Sequence, residues 1–401
     1  MASTASSPRV IPVATNGVVL LHIDFLLIGI VMTFLGPMLP NLSARWSLSD
    51  AGSGGLIFAE FFSSMFGMLS SGFLVQRVGY RLTLIVGLVL MAAGMALLAS
   101  GPWLLGISAV CIFGIGYGVT SPAGNLRTAE INPERSAAAL NIINAVWGFG
   151  AMSSPFLVAL ALHAHRPSAF LYGTAAALLV LLLILAVTRF TPDVRVHGGQ
   201  SARESRGLWK RPILLVISLL FFVYVGTETC FGGWVATYAR RVESGPHSVA
   251  TMTPSFFWGA LLLGRALAPF ALKFHAETTV ARVGLLTGFI GALSLISAHG
   301  IALVVAGSVL AGLGLASIFP ISVSLLPRWF GEDALQASSV VFASGNTGGA
   351  VLPWILGIIS ARYSGNLRLA FALPLLGIAS MLVFYLVSQP SRRLQPVGAT
   401  Q

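Results

Sequence analysis

Long apolar runs alternate with short polar breaks along the whole chain, and each run is about the 20 residues that a membrane-crossing helix needs. The pattern predicts twelve spans, at roughly 18–39, 51–75, 81–100, 102–126, 137–161, 169–189, 212–238, 251–273, 279–298, 300–325, 335–361 and 368–388. The longest polar stretch, TPDVRVHGGQSARESRGLWKRP, falls between the sixth and seventh. The expected organisation is an arm at 1–17, a six-helix half at 18–190, a linker at 191–211, a second six-helix half at 212–388 and a tail at 389–401. The fold class is all-α and polytopic.

Composition supports lipid as the main solvent. Of the 401 residues, 56% are hydrophobic and only 9% charged, against about 25% charged in soluble domains. The mean hydropathy is +0.88. The first apolar run is long, lacks a small-residue cleavage site and carries His22 and Asp24, unlike a cleavable signal peptide. Cys111 and Cys230 both lie in apolar runs, so neither a disulfide framework nor a metal site is expected.

The net charge of +11 is spread as short basic clusters between apolar runs, which is the positive-inside pattern and not a nucleic-acid stripe. With the N-terminus inside, the arm, alternate loops, linker and tail hold 16 Lys and Arg, the opposite loops 6, and Arg265 stays within a span. Both termini are therefore expected in the cytoplasm, with a bacterial cytoplasmic membrane as the setting.

The halves repeat one another. Gly114, Gly116, Gly118 and Pro122 in the fourth span match Gly312, Gly314, Ala316 and Pro320 in the tenth at a constant offset of 198, which also carries Gly150 and Pro155 onto Gly348 and Pro353. A constant register over two helices implies duplication. Small residues allow close helix approach, and prolines bend helices.

On these features the chain resembles the major facilitator superfamily, whose parallel six-helix repeats hold substrate near the midplane between the halves. The loop Gly72-Phe-Leu-Val-Gln76-Arg77-Val-Gly79-Tyr80-Arg81 is similar to the family's G-x-L-x-D-R-x-G-R-R segment, with Gln76 at the usual acid. The resemblance implies a gating role for Gly72, Arg77, Gly79 and Arg81, and for Arg265 as the second half's gating arginine. A narrower resemblance is to the fucose permease-like branch, the fucose–galactose–hexose symporters. It rests on Gly36-Pro-Met-Leu-Pro40, on Asn144 to Gly150 with Pro155, on Tyr224 through Glu228 and Trp234 to Tyr238, and on Gly264-Arg265. The carboxylates that couple protons in that branch fall at Gly36 and Val119 here, so its coupling chemistry does not transfer.

Asp24, Glu60 and Glu228 are the acids within spans. Ionisable groups at membrane depth are costly and face a cavity or a partner. At about 1.5 Å per residue, Glu60 and Glu228 lie roughly 22 and 24 Å from the cytoplasmic ends of their helices, and Asp24 and Asn144 roughly 9 and 10 Å. The substrate-binding candidates are Glu228, Asn125, Asn144 and Asn346, with Trp147, Trp234 and Trp258 as flat faces for a sugar ring. Asp24 or Glu60 is the candidate for taking up H⁺ or Na⁺, since desolvation favours the protonated acid.

The expected function is secondary transport of a small polar solute, foremost a sugar, by symport and alternating access. A drug or metabolite exporter and a facilitative uniporter of the same fold are the alternatives; Ser154-Pro155, in place of the exporters' Gly-Pro pair, disfavours the former. Neither H-E-x-x-H, G-x-S-x-G, a P-loop nor a metal-spaced Cys/His cluster occurs, so an enzyme is not expected. The expected partners are the bilayer and a sugar-like solute; no nucleic acid and no cofactor beyond a coupling ion is expected, and the molecule is expected to be a monomer.

Overall fold

A computed structural model of the chain describes residues 15–188, 208, 211–243 and 248–387. The basic residues of the arm, the tail and most of the linker lie outside the described residues. The helices are α1 (Thr15–Thr33), α2 (Leu35–Trp46), α3 (Asp50–Ser100), α4 (Trp103–Ile131), α5 (Ser136–His163), α6 (Pro167–Val187) and α7 (Pro212–Val242). They continue with α8 (Ser248–Phe274), α9 (Glu277–Ile296), α10 (Ile301–Leu315), α11 (Ile318–Phe330), α12 (Ala334–Arg362), α13 (Leu367–Ala370) and α14 (Ala372–Val387).

Among the described residues, ten helical runs are long and apolar enough to cross a membrane, and the pair α1–α2, bent by 41°, makes an eleventh. The twelfth is hidden in α3. Its 51 residues would reach roughly 75 Å at 1.5 Å per residue, over twice a ~30 Å hydrocarbon core. Gly79 divides it, with φ 82° and ψ 168°, a left-handed backbone that glycine adopts without a Cβ clash. The second and third spans thus meet at one residue instead of a loop.

Proline explains the other breaks. A proline ring clashes with the carbonyl four residues back and offers it no N–H. Pro37 acts on Thr33, where α1 ends; Pro320 acts on Ala316, between α10 and α11; Pro374 acts on Ala370, where α13 ends. The first span is therefore a bent pair, while the tenth and twelfth run on as single spans, Ile301–Phe330 and Leu367–Val387, across a short interruption.

The repeat is visible in the packing. A Cβ on Gly114 would overlap the Ser63 side chain and the Glu60 carbonyl of the second span, and one on Gly312 would overlap the Phe257 carbonyl of the eighth. A Cβ on Gly150 would overlap the Leu26 carbonyl of the first span, and one on Gly348 the Phe222 carbonyl of the seventh. Residues 198 apart thus perform the same job in each half. Span ends repeat as well. Arg81 donates to Leu185 O and Ala186 O at the end of the sixth span, and Arg282 to Tyr385 O and Leu386 O at the end of the twelfth.

One end of the bundle carries the linker and the Gly79 break, and is called the linker face; the other is the far face. The halves touch from mid-depth to the far face. There Asp50 accepts two hydrogen bonds from Arg241, at 2.6 and 2.9 Å, and one from Ser360 at 2.5 Å. Arg241 also donates to Gly365 O at 2.8 Å. Asp50 belongs to the first half and its partners to the second. Deeper in, Gly36 abuts Gly232 and Gly54 abuts Trp354. At the linker face the ion pairs Arg127–Glu130, Arg211–Asp333 and Arg328–Glu277 each close within one half. The molecule is latched at the far face and parts toward the linker face.

Candidate functional site

The buried polar groups gather where the halves part. Glu60 on α3 is 2% exposed and its Oε1 has no hydrogen-bond partner. Its position follows from the glycine-lined face of α4, which lets α4 dock against the backbone at Glu60. Tyr117, between Gly116 and Gly118 of that helix, hydrogen-bonds Ser121 and lies in the field of both Glu60 and Glu228. One phenol of the first half therefore lies within electrostatic range of acids from both halves.

Glu228 on α7 is 9% exposed. Arg265 on α8 donates through Nη2 to Tyr224 Oη at 3.2 Å and to Glu228 Oε2 at 3.5 Å. Tyr224 and Glu228 are four residues apart and so share one helix face. Phe319 of α11 lies 5.7 Å from the Arg265 guanidinium and supports it from the side. Arg265, singled out as a gating residue, is thus placed at the site beside Glu228.

The two tryptophans that face each other across the halves are Trp147 on α5 and Trp258 on α8. Their rings meet edge to face with centroids 5.9 Å apart. Both indole N–H groups are buried without a hydrogen-bond partner. Trp234 is elsewhere: it is fully buried, and its Nε1 donates to Pro353 O at 2.9 Å, a bond between α7 and α12 of the same half.

The asparagines separate in the same way. Asn144 donates to Asn125 Oδ1 at 3.2 Å, and Asn144 is exposed, on the linker-face side of the tryptophan pair. Asn346 on α12 donates to Phe61 O at 3.0 Å and to Ser64 Oγ at 3.3 Å, so it joins the halves next to Glu60. Asp24 on α1 is fully buried with both carboxylate oxygens lacking a partner. His22 shares Nδ1 with Val18 O at 2.7 Å on its own helix.

The loop motif lies at the linker face. Gly72 and Arg77 are exposed, Arg77 lies 4.6 Å from the Phe73 ring, Gly79 makes the break in α3, and Arg81 caps the sixth span. No group of three or more His, Cys, Asp or Glu side chains suited to a metal occurs among the described residues.

Sequence reading did not place Tyr117 or Tyr224 among the site residues. The signal for Tyr224 was its spacing of four from Glu228. For Tyr117 it was a phenol amid glycines in an apolar span, and nothing local shows which way that ring turns.

Comparison with known proteins agrees with this architecture. The chain is 24% identical over 386 residues to the glucose/galactose transporter of Brucella abortus biovar 1 (strain 9-941), covering 92% of each chain. It is 25% identical over 351 residues to the glucose/mannose transporter GlcP of Bacillus subtilis (strain 168), covering 83% of this chain and 85% of the other. Among solved structures it superposes on the E. coli fucose:proton symporter with a TM-score of 0.63 at 21% identity, over 94% of this chain and 99% of that one. The profile described as Major Facilitator Superfamily matches residues 23–266 and 217–401. With a repeated six-helix plan, a latch at one face and polar groups collected between the halves, the chain belongs to the Major Facilitator Superfamily of membrane transporters.

Proposed function

We propose that this protein carries a monosaccharide across the membrane by alternating access, coupled to H⁺ or Na⁺. The observation that carries this reading is the set of buried hydrogen-bonding groups between the halves: Trp147 Nε1 and Trp258 Nε1 have no protein partner, and Glu228 holds Arg265 only at 3.5 Å. Buried polar groups without partners cost stability, and a polyhydroxylated ring supplies donors and acceptors to all of them while stacking on indole faces. The relatives named for glucose, galactose and mannose support the same substrate class.

In this reading the linker face is cytoplasmic, which the count of 16 basic residues against 6 supports. The Asp50–Arg241 latch then closes the outside while the gap opens inward. Glu228, Asn125, Asn144, Trp147 and Trp258 contact the sugar. Asn346 holds the halves at the base of the gap, and Trp234 braces the second half. Asp24 or Glu60 takes up the coupling ion. Gly72, Arg77, Gly79 and Arg81 form the cytoplasmic hinge. The protein works as a monomer in a bacterial cytoplasmic membrane with both termini inside, and needs no cofactor besides the ion.

The test is a thermal-shift titration of the purified full chain with D-glucose, D-galactose, D-mannose and L-fucose, followed by uptake into proteoliposomes under a pH or Na⁺ gradient. A ligand of the folded state raises its apparent stability by mass action. Stabilisation by one of these sugars and its gradient-driven accumulation are the expected results. Silence for every sugar, with stabilisation by hydrophobic cations, would overturn the reading in favour of an exporter.

A further inference from the structure

Among the described residues, Arg265 is the base with a buried N–H that meets no hydrogen-bond partner. A guanidinium carries five N–H donors in a planar fork and accepts nothing. Here Nη2 makes both polar contacts, to Tyr224 Oη at 3.2 Å and Glu228 Oε2 at 3.5 Å. Nε is buried and has no partner. The side chain is 27% exposed, and since Nε is sealed, that exposure belongs to the rest of the side chain, whose terminal amino groups are the donors that can meet the gap. The guanidinium carbon lies over the Phe319 ring, 5.7 Å from its centroid. Pro269, four residues on, has no N–H for the Arg265 carbonyl, so that carbonyl lacks its usual helical donor. A purely structural ion pair would place guanidinium and carboxylate in tight two-point contact, as Arg241 and Asp50 do at 2.6 and 2.9 Å.

We propose that Arg265 is itself a substrate ligand, whose free N–H edge donates to two neighbouring hydroxyl oxygens of a neutral sugar, with Glu228 and Tyr224 holding the fork in position. This rests on the sugar-transport reading of the same site and narrows it. The substrate is a neutral vicinal diol and not a sugar acid. Glu228 already balances the guanidinium charge, while Asp24 and Glu60 in the first half bring further acids with unpartnered oxygens, so an added carboxylate meets no uncompensated base.

The experiment measures binding of D-glucose, the monodeoxy-glucoses and D-glucuronate to the purified full chain by thermal-shift titration, with circular dichroism as the check on folding. The variants are Arg265→Lys, which keeps the charge and loses the fork, Arg265→Met, and the double variant Glu228→Gln/Arg265→Met, which removes both charges together. The expected result is a loss of glucose affinity of about tenfold or more in each variant, the size of a lost hydrogen bond to a charged group. One deoxy-glucose should bind wild type weakly and lose nothing further in Arg265→Lys, which identifies the hydroxyl the fork holds. D-glucuronate should bind wild type more weakly than D-glucose. Glucose binding by Arg265→Lys within twofold of wild type, recovery of wild-type affinity in the double variant, or tighter binding of glucuronate than glucose would overturn this assignment alone. A wild type unmoved by any sugar would overturn the sugar reading together with it.

Discussion

The two halves hold their buried charges in opposite ways. The first half keeps Asp24 and Glu60 out of water with carboxylate oxygens that meet no donor. The second keeps Glu228 beside a base, in a cluster with Tyr224 and Arg265. The helices that carry them are near copies, since glycines 198 residues apart dock on equivalent partners. The scaffold is thus symmetric and the chemistry is not. An unpartnered acid invites a small cation, whereas a compensated acid–base cluster offers fixed donors and acceptors to a neutral polar solute. Duplication supplied two equal frames, and in the function proposed above their inner faces divide the work, with coupling in one and recognition in the other.

The contrast can be broken most severely on the recognition side. Glu228→Gln should lower sugar affinity by about tenfold to a hundredfold, because it leaves Arg265 without its counter-charge; titration calorimetry on the folded variant measures it, and an unchanged affinity would remove Glu228 from recognition. On the coupling side, Glu60→Gln and Asp24→Asn should leave binding near wild type. In one of the two, uphill accumulation in proteoliposomes should vanish while sugar counterflow persists. Loss of both activities in a folded variant would reassign that acid to another role.

The shared frame gives the next effect. Gly150→Val and Gly348→Val each force a side chain into a neighbouring carbonyl and should destabilise by about 1–3 kcal/mol, by similar amounts if the halves are equivalent; chemical denaturation in detergent reads both. Smaller again is the far-face latch. Asp50→Asn removes a partly exposed pair whose Arg241 side chain is 40% exposed, so its contribution is screened to about 1 kcal/mol or less. Alkylation of a cysteine introduced at Ile57 should speed up a few-fold as the outward-open population rises. Trp234→Phe should cost about 1 kcal/mol of stability, the bond to Pro353 O, with sugar affinity unmoved; weaker sugar binding would return Trp234 to the site.

Much of this was legible along the chain. Twelve spans, their equivalence in pairs and the depth of each acid follow from hydropathy, a constant offset and helical rise. Boundaries came within several residues, with one instructive difference: the second and third spans join through Gly79 inside a single helical run, where a loop was expected. The proline breaks were not readable in advance: each falls four residues before a proline, but Pro122, Pro155, Pro269 and Pro353 stand inside unbroken helices.

The site was legible only in part, and the reason is rotational. A span that is apolar nearly all round gives no moment to say which side faces the gap, so Trp147, Trp234 and Trp258 looked alike. The fold separates them: two meet across the halves with free indole N–H groups, and the third is sealed against Pro353. Arg265 read as a gate from its motif and lies with Glu228 because α7 and α8 pack side by side. The same holds for Tyr117, whose nearness to Glu228 depends on how the halves meet. The sequence by itself determined which segments must leave water, that they form two copies of one unit, and which few charges must be buried with them, because burial and helical rise act locally. Which of those charges find partners, and which are buried without one, was decided only by the packing of helices against one another, because contacts between residues far apart in the chain exist only once both frames have assembled.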